Sequence, residues 1–120
     1  MKKVLTLALV LWATVCAAQP PDIEELEGVV SAVSSQAVTT DDGDMIIETD
    51  VTVKVTHRIR GGTATTVTVR VVGGTVGGVT LVNSNETVPL KNKKYHFILH
   101  TDSHSKLRPV DGNRGMVVVP

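Results

Sequence analysis

His96, His100 and His104, with Asp102, are residues of the types that bind zinc, and they lie close together near the C-terminus. The histidines recur at every fourth position, and imidazole and carboxylate groups are common zinc ligands. On a helix this spacing would put all three histidines on one face. The neighbouring residues predict a strand instead, in which His96 and His100 are about 13 Å apart. A zinc site would therefore need His104 to fold back towards His100, with Asp102 beside it.

We therefore consider the hypothesis that His96, His100, Asp102 and His104 bind zinc or a similar divalent ion. The alternative is that they are polar residues of an exposed hairpin and bind no metal specifically. Both interpretations stay open at this stage.

The common catalytic motifs are not found in this sequence. It has no Gly-x-Ser-x-Gly nucleophile elbow and a single cysteine, Cys16. Ser103 precedes His104, but neighbours in sequence rarely form the geometry of a catalytic triad. No catalytic residue is predicted, and an enzyme is the least favoured of the function classes.

The N-terminus has the layout of a secretory signal peptide. Lys2 and Lys3 are followed by an apolar run over 4–15 and by Cys16-Ala17-Ala18. We expect residues 1–18 to be removed and the protein to be periplasmic or extracellular. The apolar run is too short to span a bilayer, which needs about 20 residues. The alternative is a lipoprotein that is acylated at Cys16.

Composition excludes several classes of ligand. The chain has 12 basic and 12 acidic residues, and loss of the signal peptide makes it slightly acidic. Tyr95 and Phe97 are the aromatic residues that remain after cleavage. Nucleic-acid barrels need basic grooves and aromatic platforms, so we expect no nucleic-acid partner, and sugar binding by ring stacking is disfavoured for the same reason. A protein partner is the most expected one, whereas the oligomeric state is left open.

The hydrophobic pattern predicts strands throughout the remaining chain. Residues 45–60 alternate between an apolar and a polar face, which is typical of a sheet covered on one side. Residues 23–38 have both helical and strand features, and we predict a strand. Asp42-Gly43 predicts a hairpin turn. Later strands are predicted at 65–72, 79–82, 95–101, 107–110 and 116–119. Residues 19–24 are expected to be an extended leader, and 25–120 a single all-β domain.

Two glycine pairs interrupt this series of strands. Gly73, Gly74, Gly77 and Gly78 are too many glycines for one tight two-residue turn, so we predict a broad structural corner. A phosphate-binding loop would need a helix after the glycines, and the residues that follow favour a strand.

His57 falls on the apolar face of the long strand at 45–60. We expect it to be partly buried at the edge of the core, and the protein to be less stable at pH 5 than at pH 7.

Several segments follow one another in an order that is typical of one group of proteins. They are Glu27-Gly28-Val29-Val30, 49–61, 73–78, 95–99 and 114–117. This order, with its Gly-Gly-x-x-Gly-Gly motif, resembles a group of small secreted bacterial domains of uncharacterised function. In this sequence Lys91-Asn92-Lys93 replaces a Gly-Glu turn, and Arg114 replaces a glutamine. The resemblance implies a small closed or nearly closed oligonucleotide/oligosaccharide-binding (OB) barrel, and it transfers no catalytic residue.

The sequence thus predicts an all-β exported domain, an OB-like antiparallel barrel of five to seven strands, with a β-sandwich as the alternative. Its expected function is that of a non-catalytic binding or protein-interaction module. The alternative function is a periplasmic metal-binding domain that uses the His96, His100 and His104 hairpin.

Overall fold

The computed structural model describes residues 23–120, which form eight strands and one short 3-10 helix. The predicted signal peptide, Cys16 and most of the predicted leader lie outside the described residues. In chain order the elements are β1 (Ile23–Thr39), β2 (Met45–Arg60), β3 (Thr66–Val72), β4 (Gly74–Val76), β5 (Val79–Leu81), β6 (Lys94–Thr101), β7 (Leu107–Pro109), the 3-10 helix (Gly112–Gly115) and β8 (Met116–Val118).

Five strands close into a barrel in the order β1-β2-β3-β7-β6, because β6 pairs back with β1. The prediction of a small all-β, OB-like barrel is confirmed, and so is the strand prediction for residues 23–38. One pairing is parallel, between β3 and β7, and its register has a single residue pair, Val69 with Leu107. The 3-10 helix is the only helix within 23–120, and it is far too short to cross a membrane.

The long first strand makes closure of the barrel possible because it pairs along both of its edges. Its first residues, Ile23 to Val29, pair with β6, while most of its length pairs with β2. Register shifts near Leu26, Gly28 and Val30 bend it, as bulges do in barrels. A Cβ at Gly28 would lie 2.6 Å from the Lys54 carbonyl oxygen, so glycine is needed where β1 presses against β2.

The barrel interior is filled by aliphatic side chains that alternate along the strands. Val51 and Val53 of β2 face Val67, Val69 and Val71 of β3. The rest of the buried cluster comes from β1, β6 and β8 and consists of Leu26, Val30, Tyr95, Phe97, Leu99 and Met116. A single contiguous core of this kind gives the barrel most of its stability, since burial of apolar surface is the main favourable term in folding.

The four glycines of the double motif form two separate structures, so the prediction of one broad corner was wrong. Gly77 and Gly78 make a tight two-residue turn between β4 and β5, with φ of 56° and 81°. Two successive positive φ angles match the type of turn that favours strand hairpins. Gly73 and Gly74 make the bend between β3 and β4, with φ of 125° and 131°.

The bend at Gly73 and Gly74 is held by two hydroxyl groups. The Thr49 hydroxyl donates to the Gly73 carbonyl oxygen at 2.7 Å and lies 2.7 Å from the Ser35 hydroxyl. A Cβ at Gly74 would clash with both hydroxyl oxygens. The β4–β5 hairpin therefore packs directly against the β1–β2 hairpin.

His57 is exposed, so its expected position at the edge of the core was wrong. The bulges in β1 near Gly28 shift the register of β1 against β2 close to this position, and the apolar face of β2 loses its cover after Val55, which is half-buried. The expected loss of stability at pH 5 assumed a buried ring, and this assumption does not hold for His57.

We predict that Gly74→Ala destabilises the protein by about 3 kcal/mol, because alanine is strained at this φ and its methyl group meets the Ser35 and Thr49 hydroxyls. Urea unfolding followed by circular dichroism measures the change. The matched control is Gly77→Asn, at a position with open space around it, where asparagine tolerates the left-handed conformation and should cost less than about 1 kcal/mol. Equal losses for the two variants would contradict this account.

Candidate functional site

The candidate functional site is a cleft on the outer face of β2 and β3. It lies between two turns, residues 40–44 and residues 102–106, and its volume is about 530 Å³. We call it the β2–β3 cleft. Its lining consists of Val38, Thr39, Thr40, Asp41, Ile46, Glu48, Arg70, Val72, His104, Lys106 and Arg108. A smaller hollow of about 330 Å³ adjoins it and shares Arg70 and Lys106.

The floor of the cleft begins with a cross-strand ion pair. Asp50 of β2 lies directly opposite Arg70 of β3 in the sheet. Two bonds join the side chains, from Arg70 Nε to Asp50 Oδ1 at 2.8 Å and from Arg70 Nη2 to Asp50 Oδ2 at 3.2 Å. Such paired bonds fix orientation as well as adding energy. The hydrogen bond from Arg70 lowers the pKa of Asp50, against the opposing effect of burial.

Glu48 extends this pair across the edge between β3 and β7. Its side chain is only 4% exposed, although it belongs to the outer face of β2. Glu48 Oε2 lies 2.6 Å from Arg108 Nη2, and Glu48 Oε1 lies 3.6 Å from Arg70 Nη1. A carboxylate this deeply buried needs charged partners, because an unpaired buried charge is very costly. We call the chain Asp50, Arg70, Glu48, Arg108 and Asp102 the ionic network.

Asp102 ends the ionic network and also shapes the turn at 102–106. Its Oδ1 accepts the backbone N–H groups of His104 at 2.8 Å and Lys106 at 2.9 Å, and its Oδ2 accepts Arg108 Nε at 2.7 Å. Burial raises the pKa of Asp102, but these hydrogen bonds together outweigh burial and lower the pKa to about 2. One carboxylate thus holds the turn and orients Arg108 towards Glu48.

A contact between the two turns crosses the mouth of the cleft. His104 Nε2 lies 3.4 Å from Asp41 Oδ1, and these side chains are 61% and 83% exposed. A contact so exposed contributes little to stability. It nevertheless shows that the side chains of the two turns come within 3.4 Å of each other over the cleft.

The residues predicted to bind metal lie in different surroundings. His96 Nε2 is 2.8 Å from Glu25 Oε2 on the outer face of β1 and β6, and His100 lies across from Ile23 and Arg108. Asp102 is engaged by Arg108, and His104 turns towards Asp41. Within residues 23–120 no group of three or more histidine, cysteine or acidic side chains has the spacing to hold a metal ion. The metal hypothesis gains nothing from this arrangement and stays a prediction.

Two other hollows lie on the surface, and the second of them shares Ile46 with the cleft. One, of about 510 Å³, lies between residues 84–86 and 111–114, and Asn113 there bonds to Ser84 and Thr87, which holds the two loops together. The other is an apolar groove of about 340 Å³ between the β1–β2 and β4–β5 hairpins. Met45, which is 69% exposed, lines this groove. Neither hollow combines charged and apolar groups as the β2–β3 cleft does.

Comparison of this chain with protein-family models, with curated proteins and with solved structures found no match.

The ionic network was not found by sequence reasoning, although part of its signal was present. Glu48 and Asp50 fall on the polar face of the long strand, and Arg70 falls on one face of the next strand. Those positions permit an ion pair between neighbouring strands. Arg108 comes into contact only because β7 pairs with β3 across the closed barrel, and no local pattern in the sequence indicates that pairing.

We predict that Arg108→Met destabilises the protein by about 3 kcal/mol, because it leaves the buried Glu48 carboxylate with only the longer contact to Arg70. Chemical denaturation at pH 7 measures the loss. The matched control is Arg60→Met, since Arg60 is 58% exposed and lies 3.9 Å from Glu25; an exposed pair of this kind is worth less than about 1 kcal/mol. A loss no larger than that of the control would show that the network does not stabilise the barrel.

We also predict a loss of stability in acid that depends on Asp102. Its pKa in the folded protein, about 2, is below the ordinary value of 3.8, so its contribution is complete above the ordinary pKa and is lost as the pH falls towards 2. The contribution is about 2 kcal/mol.

The measurement for this prediction is the free energy of unfolding at several pH values from neutral to strongly acidic. Asp102→Asn should be less stable at pH 7 and should show a flatter decline below pH 4. Asp42→Asn is the control, because Asp42 is an exposed residue of the turn at 40–44, and it should keep the full decline. An unchanged slope in Asp102→Asn would be the contrary result.

Proposed function

We propose that this protein is an exported, non-catalytic binding module that holds its ligand in the β2–β3 cleft. The observation that carries the proposal is the position of the cleft. OB barrels bind their ligands on the face of the second and third strands, between the first hairpin loop and the last. The β2–β3 cleft lies on that face, between residues 40–44 and 102–106.

The size and lining of the cleft support binding of a ligand. A volume of about 530 Å³ is within the range of small-molecule sites, which combine apolar walls with a few placed polar groups. Val38, Ile46 and Val72 provide apolar walls, and Arg70 and Arg108 provide polar groups. The ion pairs already orient those arginines, so little ordering is required when a ligand binds.

A non-catalytic role agrees with the electrostatics of the cleft. The pKa values of Asp50 and Asp102 are lowered, whereas a general acid or base works best with a pKa near the operating pH. Arg70 and Arg108 keep their protons, since hydrogen bonds to the carboxylates raise their pKa values further despite burial. These groups are suited to hold charge in place and not to transfer protons.

Export is proposed from the N-terminal pattern alone, with residues 1–18 as the signal peptide. A protein partner and attachment through Cys16 stay predictions, and neither is needed for the cleft to bind a small ligand.

The experiment is a fragment screen by ¹H–¹⁵N NMR on the protein recovered from cells that express the whole chain. Bound fragments should shift, in a saturable manner, the amide signals of Arg70, Val72 and Lys106, which line the cleft and not the apolar groove. Signals of Val79 and Thr80, in the apolar groove, provide the internal control. Binding confined to the groove, or no binding by any fragment, would refute the proposal.

A further inference from the structure

In the β2–β3 cleft most acceptor groups of the floor are already bonded, whereas several N–H donors are free. This difference restricts the chemical type of ligand that the proposed function requires. The carboxylates of the ionic network are occupied. Both oxygens of Asp50 accept bonds from Arg70, and Gln36 adds one more at 3.2 Å. Both oxygens of Asp102 and both of Glu48 face cationic or N–H partners. The acceptors of the floor therefore have little capacity left for a ligand.

The cations of the cleft, in contrast, keep unused donors. In the described part of the chain, Arg70 Nη1 has no partner closer than Glu48 Oε1 at 3.6 Å, which exceeds hydrogen-bond distance. Arg108 bonds through Nε and Nη2, and its Nη1 has no partner among residues 23–120. Lys106 has no side-chain partner there either, and its side chain is exposed.

These unused donors are open to solvent. Among the described residues, Arg58 Nε is the only buried side-chain nitrogen or oxygen without a hydrogen-bond partner. The free nitrogens of Arg70 and Arg108 are therefore not buried, and both residues line the cleft. Lys106 lines the cleft and its adjoining hollow as well. A ligand that reaches the floor of the cleft meets free N–H donors. The exposed carboxylate of the lining, Asp41, lies at the mouth, 3.4 Å from His104 Nε2.

Part of the lining of the same cleft is aliphatic. Val38 of β1, Ile46 of β2 and Val72 of β3 line it beside the arginines. A ligand with one acceptor group and one apolar part would satisfy both surfaces. A purely polar ligand would leave the aliphatic side in water, and a purely apolar one would leave the donors unpaired, which is costly.

Taken together, these observations lead us to infer that the β2–β3 cleft binds a small organic acid with an aliphatic body. Its carboxylate accepts hydrogen bonds from Arg70, Arg108 and Lys106, and its alkyl part contacts Val38, Ile46 and Val72. The three cations and the three network carboxylates cancel in charge, and Asp41 adds one negative charge at the mouth. Recognition therefore depends on directed, charge-assisted hydrogen bonds and not on a net positive field.

The probe is sodium hexanoate, titrated into the same recovered protein and followed by ¹H–¹⁵N NMR, including the Nε–Hε signals of the arginines. Hexanoate should shift the Arg70 and Arg108 side-chain signals and the amides of Val38 and Val72, with saturation. Acetate, which lacks the alkyl body, should bind more weakly. Hexylamine, which carries a donor and a positive charge on the same chain, should produce no saturable shift in the cleft.

Lys106→Gln tests the donor directly, because Lys106 is exposed and its loss leaves the ionic network intact. It should weaken hexanoate binding about fivefold, whereas Lys91→Gln, at an exposed turn outside the cleft, should leave binding unchanged. Hexylamine binding as tightly as hexanoate, or Lys106→Gln binding hexanoate as the wild type does, would overturn the inference. The wild-type comparison of hexanoate with hexylamine requires no variant, so the test stands even if a substitution alters folding.

Failure of this inference is distinguishable from failure of the proposed function. If other fragments shift the cleft amides while hexanoate does not, the organic-acid inference fails and the binding module stands. If nothing binds in the cleft, both fail.

Discussion

Closure of the barrel between β3 and β7 is the constraint on which the remaining structure depends. Their backbone register has one residue pair, Val69 with Leu107, so the backbone contributes little to closing this edge. The ionic network contributes there through side chains, because Glu48 contacts both Arg70 of β3 and Arg108 of β7. Removing one partner from such a buried network leaves an uncompensated charge. Loss of any one of these side chains therefore weakens the whole β3–β7 edge.

The same network forms the floor of the β2–β3 cleft. The side chains that stabilise the closed barrel are therefore also those that a ligand in the cleft would contact. Its carboxylates are engaged by the arginines that close the barrel, and the pKa values of Asp50 and Asp102 are lowered by those hydrogen bonds. The arginines are fixed from one side by those carboxylates and are left with N–H groups on the other. A site of this kind is preorganised to hold an acceptor group.

Local patterns were sufficient to predict most of the strands. Alternating residues identified β2, and Asp42-Gly43 identified the turn before it, because strand period and turn chemistry are properties of adjacent residues. Predictions that depended on distant contacts were less successful. His57 is exposed where bulges in β1 shift the register. The glycine pairs separated into a tight turn and a bend because Ser35 and Thr49, which are remote in sequence, press against Gly74.

The sequence by itself determined that this is an all-β chain with an aliphatic core, a long first hairpin and few aromatic side chains, since each of these follows from composition or from periodicity over a few residues. Only the tertiary structure decided where the functional groups meet. Glu48, Arg70, Arg108 and Asp102 come from β2, β3, β7 and a turn, and they form one network because the barrel closes. Closure is set by pairing between strands far apart in sequence, and such pairing leaves no periodic signal in any one segment.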